Sequence, residues 1–157
     1  MTVPAPLGQV FQFFEDPGNL ARITPVWLSV RIVDPDAVRM REGAEIDYVI
    51  RWWVLPLKWR TLIARYAPPF SFVDEQVRGP YRYWHHEHTF EATPEGIAIR
   101  DRVDYALPLG ILGRLAHALI VKRQLLAIFR FRQAAIAGIL GVEGVAFDAP
   151  VIGTLSS

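Results

Sequence analysis

Three of the chain's four histidines, His85, His86 and His88, fall inside one aromatic run, Gly79 to Phe90. Imidazole is the side chain that titrates nearest neutral pH, so histidines at this spacing could move a proton, hold a metal or anchor a polar ligand group. Aromatic residues and Thr suit a pleated surface. Read as one strand, the run alternates with period two, with Trp84, His86, His88 and Phe90 on one face and Tyr83, His85, Glu87 and Thr89 on the other. One face therefore carries two imidazoles between apolar rings, which is how the wall of a small-molecule pocket is built. The plainer reading is a pair of hydrogen-bonded structural histidines. A metal would need a third ligand from another strand; His85 points away and the chain has no cysteine, so no metal site is expected. There is also no Gly-x-Ser-x-Gly elbow, no serine beside the histidines and no phosphate-cradling glycine loop. Covalent catalysis and nucleotide use are disfavoured, and no cofactor is expected.

The composition narrows the partners. With 157 residues, 52% of them hydrophobic, the chain is long enough for one domain with a sizeable core. Seventeen basic residues against sixteen acidic ones leave a formal charge of +1, too balanced for a nucleic-acid partner. No stretch offers about 18 uninterrupted apolar residues, and no basic region precedes an apolar run at the start. A soluble, cytoplasmic protein with no stable membrane insertion is the expectation.

The elements that must position the histidines follow from the change of period along the chain. Pro6 suits the first turn of a helix over about 6 to 15, carrying Val10, Phe11 and Phe14 on one face. Asp16-Pro17-Gly18-Asn19 breaks it, and Leu20 and Ile23 mark a second short helix before Pro25. Six runs of period two come next: Trp27 to Val33, Ala44 to Val54, Leu57 to Ala67, Phe70 to Arg78, Tyr81 to Thr93 and Gly96 to Leu107. Their short connections, rich in Pro, Gly and Asp, favour an antiparallel meander. From Ile111 to Leu140 the pattern becomes helical, with Leu112, Leu115, Leu119, Leu126 and Phe129 at three- and four-residue steps. Arg114, Lys122, Arg123, Arg130 and Arg132 make this helix basic. A membrane-surface helix is one reading; a helix covering the open face of the sheet is preferred. Residues 1–140 form the expected domain, and the apolar, aperiodic stretch 141–157 a tail.

Two short helices, a run of antiparallel strands and a long C-terminal helix resemble the START-like, or SRPBCC, superfamily. The motifs are similar to its ligand-binding branch, which includes polyketide cyclase/dehydrase-like proteins. They are Val10-Phe11-x-Phe13-Phe14, Ile23-Thr24-Pro25-x-Trp27, Trp59-Arg60-Thr61, Phe72-Val73-Asp74-Glu75-Gln76, Gly79-Pro80-Tyr81-x-x-Trp84-x-His86-x-His88-x-Phe90 and Asp101-Arg102-Val103-x-Tyr105-x-Leu107-Pro108. The resemblance implies an α+β helix-grip fold, a curved sheet of six to seven strands wrapped around the long helix. It also implies a first edge strand that is mostly missing here, since only Thr2 and Val3 precede Pro4. An uncovered edge would need protection, for instance by a homodimer or by exchange of the tail.

In such a fold the concave face of the sheet lines a cavity. In phase with Trp84, His86, His88 and Phe90, the resemblance implies a lining of Tyr48, Ile50 and Trp52; Trp59, Thr61 and Ile63; Phe72, Asp74 and Gln76; and Asp101, Val103 and Tyr105. Leu119 and Leu126 would contribute from the helix. Asp74, Gln76, His86, His88 and Asp101 form a polar belt across three neighbouring strands, where facing residues come within reach. The same Asp–His contacts serve a satisfied buried network or a His oriented for proton transfer, making His86, His88 and Asp101 the catalytic candidates. The aromatic interior favours binding of a hydrophobic, polyketide-like or lipid-like molecule; a cyclase or dehydrase is the alternative. Trp27, the Trp52-Trp53-Val54-Leu55-Pro56-Leu57 hairpin and Leu109 to Leu112 should frame its mouth. A hairpin tip with two tryptophans and no charge should be covered or used.

Overall fold

The computed structural model describes residues 1–108, 120–141 and 151–154. The chain begins with β1 (Thr2–Val3), α1 (Leu7–Glu15) and a 3-10 helix (Pro17–Ile23), then runs through β2 (Leu28–Ile32), β3 (Glu45–Trp52), β4 (Leu55–Ala67), β5 (Ser71–Arg78), β6 (Tyr83–Thr93) and β7 (Gly96–Ala106). The helix α2 (Lys122–Ile139) and a short strand β8 (Val151–Thr154) follow. The strands form one antiparallel path, β1-β7-β6-β5-β4-β3-β2, so every strand from β2 to β7 pairs with its neighbour in sequence. This is an α+β helix-grip fold.

The β4–β5 pairing is bulged twice. Its register shifts between Arg60 and Thr61, where the extra residue is Val77 of β5, and again between Ile63 and Arg65, where it is Ala64 of β4, and each extra residue bends its strand and strengthens the twist. The second shift also resets parity. Thr61 and Ile63 are buried on the concave side, and beyond Ala64 it is Tyr66 that joins the core.

Three buried clusters tie helices to sheet. Val10, Phe11 and Phe13 of α1 pack with Phe72, Phe90, Ile97 and Ile99 of the sheet and Ile136 of α2. Leu125 and Phe129 of α2 cover Val103 and Tyr105, while Ile46, Tyr48 and Ile63 make a third cluster at the β3–β4 end. The break between α1 and the 3-10 helix is fixed by Asp16, whose Oδ1 accepts from the Gly18 amide at 2.8 Å.

Two expectations need correcting. The outer edge of β7 is not uncovered: β1 pairs with Ala98 and Ile97, the Met1 carbonyl accepts from the Ile99 amide, and β8 lies parallel to Arg102 through Tyr105. Gly96 makes the first contact feasible, at φ +134 and with the Val3 carbonyl occupying the place a Cβ would need. A bare β7 edge therefore gives no reason for a homodimer. Part of the tail, Val151–Thr154, is thus a strand, although the pattern there is aperiodic. The long helix is described from residue 120 onward, so Leu112, Arg114, Leu115 and Leu119, with the Leu109 to Leu112 part of the mouth, lie outside the described residues. No helix among the described residues is long and apolar enough to cross a membrane.

Candidate functional site

The sheet, the 3-10 helix and α2 enclose a cavity of about 330 Å³. Tyr48, Ile50 and Trp52 of β3, Trp59, Thr61 and Ile63 of β4, Phe72 and Asp74 of β5, and Trp84, His86 and His88 of β6 all line it. Trp27 and Leu57 stand in the same wall. Trp59 is held by donating from Nε1 to Thr61 Oγ1 at 2.9 Å and meets Trp84 edge to face at 5.4 Å. Burial against the sheet raises the Tyr48 hydroxyl above the usual phenol range, so that it stays a neutral donor.

Strand register assembles the polar belt. Asp74 faces His86 across β5–β6, and His88 faces Asp101 across β6–β7. The diagonals close it into a ring. His86 Nδ1 lies 3.3 Å and His88 Nε2 3.2 Å from Asp74 Oδ2, while His86 Nε2 lies 3.2 Å and His88 Nδ1 2.7 Å from Asp101 Oδ1. The 2.7 Å contact is close but lacks the alignment of a hydrogen bond. Both imidazoles are buried, their ring centroids 3.9 Å apart, with Phe72 stacked on His88 at 4.2 Å and Phe129 edge-on to His86 at 5.6 Å.

Burial opposes ionisation of Asp74, yet charge attraction and hydrogen bonding from His86 and His88 outweigh it and hold the carboxyl well below the usual range. Burial opposes it at Asp101 too, and the hydrogen bond from His86 together with the close approach of His88 prevails, holding this carboxyl well below the usual range as well. His88 is moved the other way: burial disfavours its cation, and Asp101 and Asp74 more than compensate, so it is protonated above its ordinary range. An imidazolium facing the cavity beside a carboxylate is poised to donate a proton rather than to accept one. One ligand atom each from Asp74, His86 and His88 also lies within 4.8 Å of the others, so the same groups could hold a divalent cation, a reading that strand parity alone left without its third ligand.

Several residues expected in the wall stand elsewhere. Asp101 sits behind the imidazoles and touches them without lining the cavity. Gln76 brackets the β5–β6 turn, donating from Nε2 to the Tyr81 carbonyl at 2.6 Å and accepting from the Tyr81 amide at 3.1 Å, across a Gly79 that has no room for a Cβ. Phe90 is sealed between Phe11 and Phe14, and Val103 and Tyr105 are fully covered beneath Leu125 and Phe129. Leu126 is half-buried outside the wall; the helix presents Val121, Gln124, Leu125, Ile128, Phe129 and Arg132 instead.

The sequence reading missed Phe13, Phe14, Leu20, Thr24, Tyr81 and Arg132, which also line the cavity. For Arg132 the signal was there: it stands seven residues after Leu125, three after Phe129 and four before Ile136, on the buried stripe of the helix.

Residues 3–129 match the pattern described as polyketide cyclase / dehydrase and lipid transport. The chain belongs to that family. No curated protein matches it. Among solved structures it is similar to protein Ms6760 from Mycobacterium smegmatis, with TM-score 0.64 and 16% identity over 90% of this chain and 87% of that one. It is also similar to CV1439 from Chromobacterium violaceum, with TM-score 0.66 and 14% identity over 88% and 92%. TTHA0849 from Thermus thermophilus gives 0.64 and 15% over 88% and 94%. At these identities the likeness shows the shared fold.

Proposed function

We propose that this polyketide cyclase / dehydrase and lipid transport family member binds a hydrophobic small molecule inside the helix-grip cavity. The observation that carries this is the cavity itself: about 330 Å³, within the size range of ligand pockets and walled by Trp, Tyr, Phe and aliphatic side chains. Trp27, Trp52, Trp59 and Trp84 all border it, so a bound molecule would change the intrinsic fluorescence. Titrating the protein with a library of apolar and aromatic compounds, read by tryptophan emission, tests the proposal. Saturable changes at micromolar concentration support it; none across the library contradicts it.

The β3–β4 hairpin is the proposed entry. Its tip is uncovered, with Trp53 68%, Val54 83% and Leu55 55% exposed, and Val26 close in sequence to Trp27 is 93% exposed. Trp53 adopts φ 56, a left-handed conformation that costs a non-glycine residue on the order of 1–2 kcal/mol. Its amide donates to the Trp27 carbonyl at 3.1 Å, continuing the β2–β3 pairing beyond Leu28 and Trp52 and tying the tip to Trp27 of the cavity wall. Trp52→Ala and Leu55→Asp are expected to slow ligand uptake in stopped-flow mixing more than they lower the melting temperature. Unchanged uptake with melting several degrees lower would make the hairpin ordinary packing.

A second reading, a cyclase or dehydrase, is favoured by one observation: His88 and Asp74 share the cavity wall 3.2 Å apart, a pairing that favours the charged form of each. Such a pair helps expel water by protonating a departing hydroxyl, worth roughly 10² to 10⁴-fold in rate. Under this reading His88→Gln and His86→Gln each cut turnover of an identified substrate by about that factor while its affinity is kept. Turnover that survives both changes removes the acid–base role.

A further inference from the structure

Arg132 is a cation in the wrong place for a solvated helix face. The basic residues around it on α2, Lys122, Arg123 and Arg130, are exposed, whereas Arg132 is only 8% exposed and lines the cavity. Its Nε is buried without a hydrogen-bond partner. Among the described residues the arginine–carboxylate pairs are made by Arg60, Arg65, Arg100 and Arg102, and Arg132 is in none of them.

Among the described residues, the two carboxylates that line the cavity with Arg132 are engaged by other partners. Asp16, in the same wall, accepts from the Gly18 amide, and Asp74 is engaged by His86 and His88. What the guanidinium does touch is the face of Phe129, with its carbon 5.0 Å from the ring centroid. That contact leaves the edge of the guanidinium, where its N–H donors lie, unpaired at Nε. A charge withdrawn from water without a counter-ion is unfavourable, and the desolvated site makes any anion that reaches it bind more strongly.

We infer that Arg132 anchors an acidic group of the bound molecule, so that the ligand is an amphipathic monocarboxylic acid rather than a neutral hydrophobe. The inference rests on the cavity being a ligand site and names the class of ligand. The planar fork of Arg matches a carboxylate with two parallel hydrogen bonds, and the aromatic and aliphatic wall takes the rest of the molecule. A neutral alcohol or ester of the same skeleton fills the same space and leaves the cation unpaired. Selectivity for the acid is the consequence.

Calorimetric titration of the full chain at pH 7 with two matched sets, decanoic acid against decanol and 2-naphthoic acid against its methyl ester, tests this. The first set reports a lipid-like body, the second an aromatic one. At least one acid is expected to bind about tenfold or more tightly than its neutral partner. Arg132→Met is expected to abolish that preference by weakening the acid alone. The same variant should melt at or above the wild-type temperature, because it replaces an unpaired buried charge by an apolar chain of similar length. Neutral and acidic partners binding alike to the wild type would overturn the inference while leaving the cavity reading intact. Equal weakening of both partners by Arg132→Met, with a melting temperature several degrees lower, would reduce Arg132 to packing. Failure of all four compounds to bind would count against the cavity reading and the inference together.

Discussion

Asp101→Ala is expected to lower the unfolding free energy by about 3–5 kcal/mol, although Asp101 does not line the cavity. The side chain is only 12% exposed and its carboxylate faces both imidazoles, Nε2 of His86 at 3.2 Å and Nδ1 of His88 at 2.7 Å. Removing it leaves the buried imidazoles of His86 and His88 with one carboxylate partner instead of two, and the loss of a buried partner costs far more than the intact pair contributes. Glu91→Ala provides the contrast. Its ion pair with Arg100 is 61% exposed on both sides, so the loss should stay within about 1 kcal/mol. Urea titrations of both variants decide it: a midpoint shift for Asp101→Ala no larger than for Glu91→Ala would mean that the ring of contacts holds nothing together.

The second large effect is in the pH dependence of stability. The pKa values of Asp74 and Asp101 fall on folding, so their contribution is present above the unfolded carboxylate range near pH 4 and is lost as pH drops below it. Both carboxylates are coupled to the same two histidines, so their contributions are lost together on acidification. His88 runs the opposite way. Its pKa rises on folding, so its contribution is complete below about pH 6.5 and is lost as pH climbs through the folded value. Stability should therefore peak between about pH 5 and 6.5, fall steeply in acid and decline more gently above neutrality. Denaturant midpoints from pH 3 to 9 check the shape. Stability that keeps rising from pH 6 to 8 would show that His88 is not held as a cation by Asp74 and Asp101.

Much of the fold was legible because its sheet is a meander of alternating strands. The period-two runs fall within two residues of β2 to β7, and the pairing follows from short turns between them. The belt was legible for the same reason, since Asp74, His86, His88 and Asp101 share one parity and meet by register. Where parity failed, a local contact had taken over. Gln76 has the right parity, but the Gly79-Pro80 turn claims its side chain through two hydrogen bonds. Val103 and Tyr105 face inward as expected and are covered because α2 rests directly on them, an inter-element contact that strand alternation does not encode. The helix lining was shifted for a similar reason: Leu126 fits the three- and four-residue spacing, yet the side presented to the cavity runs through Leu125, Phe129 and Arg132. Basic residues on a helix are ordinarily read as a solvated face, which hid Arg132. The strand formed by Val151–Thr154 left no alternating pattern to read, because its place is set by the free edge of β7.

The central claim is that the cavity holds a hydrophobic molecule. Native mass spectrometry of the full chain purified without organic solvent, before and after organic extraction, tests it most directly. The account predicts a population heavier than the bare chain by the mass of one small apolar molecule, removed by extraction and restored when the extract is added back. A single species at the bare-chain mass, which also takes up nothing from a hydrophobic library, would contradict it.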